Sequence, residues 1–185
     1  MSLSVQNRAE NVATFRFIHV FLMETLAHWV PKTPEMEVKV LFGRHIWDLA
    51  QQADALGQRT YELRAPLQFS LRPIEGYVEF LGDFASAGTT PQKIHGFYEV
   101  ILPNLAVRYQ IYLDSTDRLL DEPSVRIIER ILGEFSRMRS ESRVLRNELP
   151  QLRLDDKDWS EQLARREAAE SDIVAHRPAA AAAQA

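Results

Sequence analysis

Apolar side chains recur at helical spacing in four long stretches of this 185-residue chain, and prolines and glycines mark where each stretch stops. At about 100° per residue, residues 8–30 carry Phe15, Ile18, Leu22, Leu26 and Trp29 on one face, with His19 inside the stripe. Pro31 and Pro34 end that pattern. Residues 34–57 repeat it with Val38, Leu41, Phe42, Leu49, Ala53 and Leu56, and His45 stands at the centre of the face. Pro34 suits the first turn of this helix and Gly57 its C-terminal cap. Residues 91–120 align Ile94, Tyr98, Leu102, Leu105, Tyr109, Tyr112, Leu113 and Leu120, with His95 inside the stripe and Glu99 at its border. Residues 123–149, opened by Asp121 as N-cap and Pro123 in the first turn, align Ile127, Ile131, Phe135, Met138, Leu145 and Leu149. Glu134 borders that face and Ser142 lies within it.

The connections fix the topology. A link of roughly three residues between the first two helices makes an antiparallel hairpin, and the third and fourth are joined as tightly. Residues 58–90 hold Pro66, Pro73, Gly76, Gly82 and Gly88, which interrupt any long element. The segment is long enough to travel the length of a bundle, with a short helix over 73–86. Pro103 removes a backbone hydrogen bond and predicts a kink in the third helix. Residues 1–150 therefore read as one all-α domain, a four-helix bundle of two antiparallel hairpins joined by a long crossover. From Gln151 the chain is strongly charged and ends in HRPAAAAAQA, so 151–185 reads as a partly disordered tail in which Trp159 pins one segment to the body.

In this organisation residues 8–150 resemble the ferritin-like superfamily. The resemblance implies a di-iron site built from a glutamate on each of two helices and Glu-x-x-His on each of the other two. No acidic residue here is followed by histidine three positions later. The second helix offers the reverse order, His45-x-x-Asp48, and the fourth offers Glu134-x-x-Arg137, whose guanidinium cannot ligate a metal. A standard di-iron site is therefore not expected.

A non-standard site is the sharper expectation. Reflection through the first hairpin brings His19 level with His45, and the parallel third helix places His95 or Glu99 within about two turns, ~11 Å. His19, His45, His95, Glu99 and Glu134 are then candidate ligands for iron or another divalent metal with open positions for oxygen or substrate. Without a metal, His45, His19, Tyr109 and Glu134 are the catalytic candidates for proton transfer to a small molecule in the core. The plainer alternative is a non-catalytic bundle whose core histidines are satisfied by tyrosine hydroxyls, carboxylates or water. A polar group left unpaired there costs ~1–3 kcal/mol. Helix one is apolar nearly all round, Phe17 and Phe21 lying opposite its main stripe, which predicts a homodimer or a partner complex through that face.

Composition narrows the classes. Hydrophobic residues make up 45% and charged residues 26%, as in ordinary globular proteins. With 22 basic and 26 acidic side chains the net charge is −4, and no basic stripe emerges along the helices, which argues against nucleic acid as partner. The absence of cysteine excludes disulfides, thiolate metal sites and a cysteine nucleophile. No apolar run reaches membrane-spanning length and the first residues do not resemble a signal peptide, so a cytoplasmic protein is expected. Nucleotide-binding glycine loops and the G-x-S-x-G elbow are also absent.

Overall fold

The computed structural model describes residues 3–153 and 157–176, and among them every regular element is helical. Helix α1 (Val5–Trp29) starts at Ser4, whose hydroxyl accepts the Asn7 amide, and runs into a 3-10 turn over Val30–Lys32. Helix α2 spans Met36–Glu62. It begins two residues after Pro34 and continues past Gly57, so both expected boundaries move. Its end is a left-handed residue, Arg64 (φ 65°), with the Ala65 amide reaching back to the Thr60 carbonyl. Gly57 serves close approach instead: a Cβ there would stand 2.1 Å from Gln68 Oε1 and 2.7 Å from Arg16 Nε.

The crossover contains α3 (Glu75–Ala85), close to the expected short helix. Helix α4 (Thr90–His95) opens with a capping box between Thr89 and Gln92 and passes through a π-helical turn, Gly96–Ile101, into α5 (Leu102–Ser115). Pro103 accounts for the irregularity. The Leu102 amide reaches five residues back to Phe97, and Pro103 has no amide to offer the next carbonyl, that of Tyr98. Arg139 Nε takes that carbonyl from the side at 3.1 Å. The helix ends at Ser115 rather than near 120, because Asp117 accepts the Leu119 and Leu120 amides. Leu120, expected inside, is 71% exposed.

Helix α6 covers Glu122–Glu148, and Asp121 occupies its N-cap position without capping. Its carboxylate turns inward to Arg59 Nη2 at 2.8 Å, Tyr112 Oη at 2.6 Å, Thr116 Oγ1 at 2.8 Å and Ser124 Oγ at 2.7 Å. Contacts set the helix directions. Trp29 meets Phe42, Phe15 meets Tyr112, and Arg59 meets Ser124 while His45 meets Glu141. Each pairing joins antiparallel neighbours, which leaves α2 and α4–α5 parallel. The four long helices enclose one core that includes Ile18, Leu22, Phe42, Leu49, Leu105, Ile131, Phe135 and Met138.

Part of the expected tail is built into the body. Helix α7 (Lys157–Ala169) lies against α3 and the π turn, where the Trp159 ring needs the missing side chain of Gly96: a Cβ there would sit 3.0 Å from it. Beyond α7, Ile173 and Val174 are buried, and His176 Nδ1 is 2.8 Å from Glu10 Oε2. Residues 154–156 and 177–185, which the tail expectation also covered, lie outside the described residues. Phe17 and Phe21 are half-buried and packed on the core, so the second face of α1 is largely used within the chain.

Candidate functional site

Polar side chains recur every seven residues along the face of α2 that meets α6. His45, Gln52 and Arg59 meet Glu141, Glu134 and Ser124 in turn, the α6 partners seven and ten residues apart and in descending order, as in an antiparallel pair. His45 Nδ1 is 2.6 Å from Tyr98 Oη and its Nε2 is 3.1 Å from Glu141 Oε2. Burial pushes the imidazole pKa down against the pull of Glu141. Tyr98 keeps its proton, since burial raises it well above the usual phenol range. Tyr98 therefore donates to Nδ1, and Nε2–H donates to the carboxylate.

His19 occupies the next layer. Its Nε2 is 2.5 Å from Tyr109 Oη, and its ring stacks on Phe135 at 5.9 Å. Burial pulls its pKa to about 3, with Gln52 opposing. Gln52 Nε2 donates to Glu134 Oε2 at 2.5 Å. This leaves Gln52 Oε1 and His19 Nδ1, both without an assigned hydrogen bond, as the complementary acceptor and donor of the layer.

The residues expected to converge are thereby separated. His19 lies level with Gln52, one heptad or ~10 Å along the axis from His45. Side chains lean toward the N-terminus of their own helix, so in this hairpin those of α1 lean away from the loop and those of α2 toward it, and a residue of α1 meets one set farther from the loop on α2. Simple reflection through the loop ignores that shift. Glu99 is engaged elsewhere, bonded to Arg139 Nη2 at 3.2 Å and to Arg146, and these two arginines hold it ionised below the usual carboxylate range although burial acts the other way. His95 Nε2 faces Ser160 Oγ at 2.7 Å. Among the described residues no group of three or more histidines and carboxylates is placed to hold a metal ion. The donor set thus does not fit the iron or other divalent metal that the sequence reading allowed.

A sizeable cleft lies outside the core. It measures about 640 Å³ and is bounded by the end of α6, the π turn and α7, with His95, Glu99, Arg143, Arg146, Arg153 and Ser160 in its wall. Arg139, Arg143 and Arg146 follow the i, i+4, i+7 spacing of one helical face, a short basic stripe that the charge count conceals. Its carboxylates are already neutralised: Glu99 by two arginines, and Glu161 by Arg165 at 3.0 Å. Arg143 and Arg153 have no acidic partner among the described residues, and the buried Nε of Arg146 donates to nothing. His95 is pushed below its ordinary pKa by burial, with Glu99 opposing and Arg146 assisting, so its imidazole is neutral near pH 7. Of the residues that make this cleft, sequence reasoning found His95 and Glu99 and missed the arginines and Ser160.

Comparison of the chain with protein-family models, with curated proteins and with solved structures finds no match. No helix among the described residues is long and apolar enough to cross a membrane.

Proposed function

We propose that this chain is a ferritin-like helical bundle that binds a small organic anion, a carboxylate or phosphate ester, in the cleft beside the π turn. The observation that carries the reading is the pair of guanidinium groups in the cleft wall, Arg143 and Arg153, that have no acidic partner among the described residues. A carboxylate or phosphate oxygen would pair with them, and planar guanidinium forks favour such ligands. Parallel α2 and α4–α5, joined by a crossover, support the ferritin-like part. The core His–Tyr pairs are structural in this reading.

Calorimetric titration with citrate and with inorganic phosphate, in a low-chloride buffer, tests it. Saturable binding of either anion, weakened at least tenfold in an Arg143→Ala, Arg153→Ala double variant, is expected. A folded wild-type protein that takes up neither anion overturns the proposal.

The His95–Ser160 hydrogen bond favours a second reading, in which the cleft also acts on a bound ester. Ser160 Oγ would attack the acyl carbon while its proton passes to His95 Nε2. The alcohol would leave with that proton, and water would release the acid. Labelling of Ser160 by a fluorophosphonate, lost in His95→Ala, is the expected signature; an unlabelled Ser160 removes this reading and leaves anion binding intact.

A further inference from the structure

The outer face of α2 is unfinished. Met36, Val40, Gly43 and Trp47 follow the four–three spacing of a coiled-coil seam, yet this seam points away from the core. Met36 is 65% exposed, Val40 50% and Trp47 66%. Gly43 lies at the middle of the stripe, where a Cβ would meet nothing within 4 Å. Glycine inside a helix weakens it, and no neighbour in this chain requires one there. A groove of about 500 Å³ between α2 and α6 adjoins the stripe, its apolar floor made by Met36, Val40, Leu41, Val144 and Leu145 and its rim by charged residues that include Glu37 and Arg44.

We propose that this seam binds a second copy of the chain, α2 packing antiparallel on α2 about a two-fold axis near residues 41–42. Charge and shape both select that partner and direction. Two-fold symmetry demands a self-complementary surface. With Val40 and Trp47 at a positions and Met36 and Gly43 at d positions, antiparallel packing layers Val40 on Gly43 of the partner subunit and Trp47 on Met36 of the partner subunit. Glu37 and Arg44 both occupy e positions, and in an antiparallel pair e faces e. Glu37 then meets Arg44 of the partner subunit, and symmetry repeats the pair. Neither residue has an ion-pair partner among the described residues of its own chain. Parallel packing would instead set e positions beside g positions, placing Arg44 against Lys39 of the partner subunit, two like charges. The same register brings each indole beside the other copy's groove at Met36, and Gly43 removes the side chain that would hold the helices apart.

Sedimentation equilibrium on the full chain tests the surface. The wild type is expected to be a dimer whose thermal midpoint rises with protein concentration, and Trp47→Asp a monomer with unchanged helicity and a midpoint independent of concentration, since Trp47 is exposed within the chain. Glu37→Arg and Arg44→Glu alone should each weaken association at least tenfold, and the two together should restore it. A wild-type monomer overturns the proposal, as does a dimer insensitive to Trp47→Asp. Loss of association in both single charge variants without recovery in the double variant overturns the antiparallel register.

Discussion

Tyr109 Oη stands 2.5 Å from Nε2 of His19, and both side chains are sealed from solvent. Tyr109→Phe keeps the ring against Phe15 but leaves the imidazole nitrogen without its donor. The expected loss is about 1–3 kcal/mol, measured by urea unfolding. A double variant, Tyr109→Phe with His19→Leu, should lose less than the sum of its singles. Strict additivity would show that the two groups do not depend on each other.

His19 also makes stability pH-dependent. Its folded pKa of about 3 lies below the ordinary 6.5, so the unfolded chain takes up the proton first as pH falls. The contribution is complete above pH 6.5 and declines between 6.5 and 3 by about 1.4 kcal/mol per pH unit. His45 acts in the same direction, and the depressed carboxylates join at lower pH. Urea midpoints at pH 7.5, 6 and 5 should fall progressively, with a flatter series in His19→Leu; parallel series in the two proteins would contradict the assignment.

Asp121 and Arg59 form the buried lock at the crossover end of α2. Burial works against the Asp121 carboxylate, but hydrogen bonds from Tyr112, Ser124, Arg59 and Thr116 hold its pKa below the ordinary value. Asp121→Ala removes the buried partner of a guanidinium that still meets Glu62 at 2.7 Å and Ser124 at 2.7 Å, and should cost about 3 kcal/mol, the low end for a broken buried pair. Replacing both partners with apolar residues should cost less than Asp121→Ala alone. Chemical denaturation of the three variants measures the difference.

Arg64 carries a left-handed backbone at the C-terminus of α2 with an exposed side chain. Glycine adopts that conformation without the Cβ penalty, so Arg64→Gly should stabilise the protein by about 1 kcal/mol. For a chain of this size that is a thermal midpoint raised by roughly 2–4 °C. A lowered midpoint would show that the Arg64 side chain contributes more than its backbone costs.

Particular residues show how much of this was legible in the sequence. Apolar spacing and proline punctuation were enough for the four long helices, the short crossover helix and the inward position of both histidines. Boundaries failed where a tertiary contact replaced the local rule. Gly57 reads as a cap but is kept small by Arg16 and Gln68, and Asp121 reads as a cap but is claimed by Arg59. The i, i+4, i+7 spacing of Arg139, Arg143 and Arg146 stands in the sequence, but the expectation that no basic stripe emerges along the helices passed over it. Its balance was not legible there, because Glu99 and Ser160 arrive from other elements.

The sequence by itself determined that His19 and His45 lie inside a helical bundle, since helical periodicity places side chains on faces. Tertiary structure decided what they meet: Tyr109 and Tyr98 in separate layers, rather than each other or a metal. A helical wheel fixes angle but not height. Height depends on how side chains lean and on how far one helix slides along its neighbour, and a slide of one heptad separates two histidines while leaving every apolar stripe intact.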